Sequence, residues 1–121
     1  MSRGARRFHK YGAKKAECLQ GHVHPSRVEA RKCNELHLLQ AAGEIKDLQH
    51  EVQFWFVVNG DQLKHANGRR AGFKVDFLYT EAATGQQVAL EVKGRVVRDF
   101  PLRRALFCHL YPQIRYMETK R

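Results

Sequence analysis

Asp76, Glu91 and Lys93 could act together on a metal-bound water. Asp76 lies in Phe73-Lys74-Val75-Asp76-Phe77-Leu78-Tyr79, and the other two lie in Val88-Ala89-Leu90-Glu91-Val92-Lys93. Both segments alternate with the period of half-buried strands, and Glu81-Ala82-Ala83-Thr84-Gly85 joins them, so the pattern predicts one β-hairpin. With Phe77 paired to Leu90, Val75 falls opposite Val92 and Tyr79 opposite Val88, which predicts one wholly apolar face. The same register sets Asp76 across from Glu91, with Lys93 on the same side. Carboxylates on adjacent strands can hold a divalent cation through hard oxygens, and a neighbouring lysine can orient or help deprotonate the water it carries. Polar residues alternate on every amphipathic strand, so the pattern alone also fits an ordinary solvated sheet face.

The elements around this hairpin can be read from the same rules. Glu17 to His24 contains a short β segment turning at Gly21. Pro25-Ser26 then announces a helix: Ser26 is a good N-cap, and Glu29 stands three residues on, as a capping box requires. That helix should run through Glu35-Leu36-His37-Leu38-Leu39 to Ala42, with Gly43 as its stop. From Leu48 to Val58 the chain is β-rich and ends at the turn dipeptide Asn59-Gly60. His65 to Gly72 reads as a basic loop leading into the Asp76 strand. Asp99 to Phe107, with Pro101 in its first turn, predicts a second helix, and Pro112 to Met117 a final short strand. The order β-α-β-β-β-α-β predicts an α+β fold built on one mixed β-sheet flanked by helices.

Composition narrows the class of partner. A chain of 121 residues is the size of one modest domain. Its formal net charge of +10 argues for a polyanionic partner. The charge is unevenly placed, because Arg3, Arg6, Arg7, Lys10, Lys14 and Lys15 all precede the first acid, Glu17. We therefore expect residues 1–13 to be a basic tail, mobile until it meets phosphates, and residues 14–121 to be the folded domain. Arg69 and Arg70, beside Asn67-Gly68, could also contact phosphates, as could Arg95, Arg98, Arg103 and Arg104, although each also fits an ordinary surface charge. The tail lacks the apolar core of a secretion signal, and no later segment is apolar enough to span a membrane, which predicts an intracellular, cytoplasmic protein. Three cysteines, an odd number, do not suggest a disulfide framework.

Those cysteines raise a second chemistry. Cys18, His22, His24, Cys33 and His37 contain Cys-x3-His twice, and Cys33 and His37 stand at i and i+4 on the first predicted helix, so both could face one zinc. Glu29, Cys33 and His37 fall on nearly one stripe, so structural Zn²⁺ there would brace the helix that carries Glu29. The competing reading packs Cys33 as a small hydrophobe and leaves the histidines in a polar loop.

Taken together, Tyr11-Gly12-Ala13-Lys14-Lys15, Ser26-x-x-Glu29-Ala30, Glu35-Leu36-x-Leu38-Leu39, Ala42-Gly43-Glu44-Ile45, Val75-Asp76-Phe77 and Glu91-Val92-Lys93-Gly94 carry a resemblance. The chain resembles the PD-(D/E)XK nuclease superfamily, with its restriction-endonuclease-like domain. More closely, it resembles the small phage and prophage nucleases of Holliday-junction-resolvase type, over about Lys10 to Met117. The resemblance implies Mg²⁺-dependent hydrolysis of DNA phosphodiesters, with Mn²⁺ able to substitute, on branched or duplex DNA in phage recombination or packaging. It implies that Asp76 and Glu91 bind metal with the Val92 carbonyl, that Lys93 positions the attacking water, and that Glu29 completes the acidic site from the helix. Gln53 would match a polar position on the strand before the hairpin. Val75 stands where the pattern has proline. A two-fold homodimer would follow from a substrate with two symmetric strands. Beside the nuclease reading stands a non-catalytic basic nucleic-acid-binding module stabilised by zinc.

Overall fold

The computed structural model describes residues 16–19, 21–24, 27–92 and 99–119. The basic tail, Lys14, Lys15, Pro25-Ser26, Lys93, Arg95 and Arg98 lie outside the described residues, and so does the side chain of His24. The first described element is a two-stranded ribbon, β1 (Ala16–Glu17) against β2 (Val23–His24), where the sequence pattern predicts a short β segment turning at Gly21. Gly21 has φ +86, a conformation that glycine adopts without a Cβ penalty.

Helix α1 (Arg27–Ala41) follows. Its end is a Schellman stop: Gly43 has φ +81, its N–H donates to the Gln40 carbonyl, and the Glu44 N–H donates to the Leu39 carbonyl at 2.9 Å. The chain reverses directly into β3 (Ile45–Trp55), which starts three residues earlier than Leu48 because the pairing of Ile45 with Glu81 continues past a bulge between Lys46 and Gln49. Asn59 and Gly60 have φ 53 and 83 and close a minimal hairpin between β4 (Val57–Val58) and β5 (Asp61–Gln62), as an Asn-Gly turn should.

Strands β6 (Gly72–Glu81) and β7 (Gln87–Val92) form the central hairpin in the expected register, with Phe77 opposite Leu90 and Tyr79 opposite Val88. Helix α2 (Phe100–Leu110) then carries the chain over to β8 (Arg115–Thr119), which lies parallel to β7. The sheet order is β3-β6-β7-β8, so the sheet is mixed and the fold is α+β. Gly72 begins β6 where the backbone has no room for a side chain: a Cβ there would lie 2.3 Å from the Phe54 carbonyl oxygen.

The face of Val75, Phe77, Tyr79, Val88, Leu90 and Val92 is apolar as expected, and the two strands bury apolar residues on their other face as well. Phe77, Leu90 and Val92 cluster with Cys33, Leu36 and Ile45, whereas Val75, Leu78 and Ala89 cluster with Phe73, Phe107 and Ile114. The second cluster is aromatic, with the Phe107 ring 5.3 Å from Phe73 and 5.3 Å from Tyr111. A helix packed on each face makes the two central strands interior on both sides, and this accounts for Leu78 and Ala89 being apolar where a solvated face would be polar. Among the described residues, no helix is long and apolar enough to cross a membrane.

Candidate functional site

The polar exceptions in this double-sided core mark the site. Asp76 is fixed by the hairpin itself, with its Oδ2 accepting the Val92 N–H at 2.7 Å. The Asp76 backbone amide also faces the Glu91 carboxyl and favours its charged form. The backbone ladder between the two strands ends at Phe77–Leu90, so beyond it this charge-assisted bond ties Asp76 to β7. Glu91 Oε1 is nevertheless buried with no hydrogen-bond partner among the described residues. Burial pushes the Glu91 carboxyl up to about 8, Asp76 pushes in the same direction, the Asp76 amide pulls it down, and Glu29 and Glu118 add further negative charge. Glu91 thus keeps a proton at neutral pH that an ordinary carboxyl has lost.

Glu29, in the first turn of α1, is the buried charged residue of the described core at 5 % exposure. Its expected capping-box partner Ser26 lies outside the described residues, so the geometry that bears on its role is its proximity to Glu91. Lys93, the fourth expected member, the basic tail residues Arg3, Arg6, Arg7 and Lys10, and Lys14 and Lys15 also fall outside them. Gln53 lies exposed on β3, where its amide donates to the Phe54 carbonyl.

Glu118 is a member of the acidic site that the sequence reading missed. Its strand ends at Thr119 rather than Met117, and parallel pairing puts Glu118 directly opposite Glu91. Its Oε2 accepts from Arg104 Nη1 at 2.7 Å and from the Tyr116 hydroxyl at 2.7 Å. Burial and that bond to Glu118 raise the Tyr116 hydroxyl well above the usual phenol range. One signal could have found Glu118: in Arg115-Tyr116-Met117-Glu118 the strand pattern runs past Met117 into a carboxylate.

Of the expected phosphate contacts, Arg69 and Arg70 are both exposed, and the Arg70 guanidinium stacks over the Trp55 ring at 3.8 Å. Arg103 is held by Asp99, just before α2, at 3.3 Å, and Arg104 by Glu118 of β8 at 2.7 Å.

The structure also gathers sulfur and nitrogen donors from separate elements. Ligand atoms of His22, Cys33, His37 and His50 all lie within 4.8 Å of one another. Cys33 and His37 come from one face of α1, His22 from the turn between β1 and β2, and His50 from β3. Cys18 stands at the margin of this group, its Sγ 3.5 Å from His22 Nδ1. Burial, with Cys18 and Glu29 nearby, pushes the Cys33 thiol up to about 12. His50 was not among the expected ligands. It lies 17 residues from Cys33, and the available signal was the alternation Leu48, His50, Val52 along the inward face of β3. This cluster is a set of residues that could bind a metal ion.

The family model described as "Protein of unknown function (DUF1064)" matches residues 8–121. No curated protein and no solved structure matches the chain.

Proposed function

This chain belongs to the DUF1064 family, whose function is unknown, and from its own residues we propose that it is a Mg²⁺-dependent endodeoxyribonuclease acting on branched or duplex DNA. The observation that carries the reading is Glu91: a half-buried carboxyl raised to about 8 by burial and by the charge of Asp76, Glu29 and Glu118, its Oε1 without a hydrogen-bond partner among the described residues. Packing acids together in this way is unfavourable unless a cation takes the place of the proton. The donors are hard anionic oxygens, which suit Mg²⁺. Bound there, Mg²⁺ would supply the acidity that turns water into a nucleophile and the charge that offsets a pentacovalent phosphate.

The chain's own residues do the rest. Asp76, locked by the Val92 N–H, presents its remaining lone pairs in a fixed direction, and Glu91 supplies the second carboxylate once its proton leaves. Glu29 adds negative charge from α1. Lys93, two residues after Glu91, holds the attacking water and stabilises the charge that develops on it. The succession of a helix with an acid, three antiparallel strands, a helix and a parallel strand is compatible with the PD-(D/E)XK resemblance and supports this assignment. Arg69, Arg70 and the basic tail would supply sequence-independent affinity for phosphates.

A purely binding basic module has no reason to collect acids where phosphates approach, and cleavage separates the two readings. Labelled four-way junction, flap and linear duplex should be incubated with the parent protein and with Asp76→Asn, in Mg²⁺ and in Ca²⁺. The parent should cut at least one substrate in Mg²⁺, Ca²⁺ should support binding with little cutting, and Asp76→Asn should bind at low salt without cutting. Binding of all three DNAs with no Mg²⁺-dependent product would leave the basic binder as the function.

A further inference from the structure

We propose that His22, Cys33, His37 and His50 are the four ligands of one structural zinc ion, which clips the β1–β2 ribbon and β3 onto α1. Three of the donor separations have the dimensions of such a site. Zinc–nitrogen bonds of about 2.0–2.1 Å and a zinc–sulfur bond of about 2.3 Å in a tetrahedron put two nitrogens about 3.3 Å apart and a nitrogen and a sulfur about 3.6 Å apart. His37 Nε2 and His50 Nε2 are 3.2 Å apart, Cys33 Sγ and His50 Nε2 3.5 Å, and Cys33 Sγ and His22 Nδ1 3.6 Å. The remaining donor pairs lie no more than 4.8 Å apart, so small side-chain rotations would bring all four donors onto one ion.

A core filled by hydrogen bonds alone would not need so many rings. Three imidazoles crowd here, with His22 and His50 ring centres 4.4 Å apart and His37 and His50 5.1 Å apart. Cys33 is fully buried while His22 is exposed, which leaves a route for an ion from solvent. One soft thiolate and three imidazoles suit zinc and not Mg²⁺, so this centre is chemically distinct from the acidic site. Four protein ligands close the coordination sphere, as in structural rather than catalytic zinc sites. The reason for a staple is local: β1 and β2 are two-residue strands, too short to hold the N-terminal ribbon in place by pairing alone. His50 also packs edge-on against Phe77 at 5.5 Å, so the same ion would tie the ribbon and α1 to the strand that carries Asp76.

The test uses the full chain and reads metal, not DNA cleavage, so its outcome is independent of the nuclease reading. Protein purified without chelator should carry one zinc per chain by elemental analysis. After removal of that metal, titration with Co²⁺ should saturate at one equivalent, with the strong visible absorption of tetrahedral cobalt and a sulfur-to-metal charge-transfer band. His50→Gln should lose stoichiometric zinc, and Cys33→Ser should in addition lose the charge-transfer band. Cys108→Ser, at an exposed thiol, should keep both. The proposal is overturned if the parent protein gives only the weak spectrum of octahedral cobalt, or if His50→Gln retains one zinc per chain. Because the Co²⁺ titration is made on the parent, a variant that fails to fold does not remove the test.

Discussion

Glu91→Gln should stabilise the magnesium-free protein, and increasingly so as pH rises. The folded state holds the Glu91 proton up to about 8 because of burial first and the neighbouring acids second, against an ordinary value of 4.5. Between those values the unfolded chain has released the proton and the native chain has not. The native state therefore binds more protons, and its stability falls as pH rises from about 4.5 to about 8, then levels off. The whole difference corresponds to at most about 5 kcal/mol, and solvent access to a half-buried group reduces this to about 2–3 kcal/mol. Glutamine keeps the shape and removes the ionisation. For a domain of this size, the gain in Tm near pH 8 should be roughly 6–10 °C, shrinking to a degree or two at pH 5. The assay is thermal or urea unfolding of parent and variant across pH 5–9, with magnesium removed by gel filtration, since a chelator would also strip zinc. Added Mg²⁺ should raise the Tm of the parent at pH 8 and have little effect on the variant. A stability difference that does not change with pH would refute the raised carboxyl, and with it the argument that the acids await a cation.

Two further outcomes are expected. Lys93→Ala should retain Mg²⁺ binding, seen as an unchanged Mg²⁺-dependent rise in Tm, while single-turnover cleavage falls by roughly two to three orders of magnitude; cleavage at the parent rate would remove Lys93 from the mechanism. Deletion of residues 1–10 should leave the melting temperature unchanged and make the dependence of log affinity on log salt shallower, by roughly 0.9 for each phosphate that the tail had neutralised; an unchanged slope would show that the tail does not touch DNA.

How much of this could be read from the chain follows the range of the interaction concerned. The α1 stop at Gly43, the Asn59-Gly60 turn and the Phe77–Leu90 register depend on residues close in sequence, and turn chemistry with period-2 alternation fixes them before any tertiary contact forms. The i, i+4 placement of Cys33 and His37 is legible for the same reason. Glu118 and His50 are not. Glu118 reaches Glu91 only because α2 returns the chain parallel to β7, and His50 reaches Cys33 only because β3 pairs with β6 under α1. No local periodicity encodes either contact. The division of the hairpin's apolar residues between two clusters is likewise a tertiary outcome, since alternation assigns a residue to a face but not what covers that face. Local patterning therefore specifies which side chains share a strand or a helix stripe. Long-range packing alone adds Glu29 and Glu118 to the negative charge that acts on Glu91 and brings a strand histidine to the sulfur–nitrogen cluster, because those contacts depend on chain reversals whose energetics are spread over the whole core.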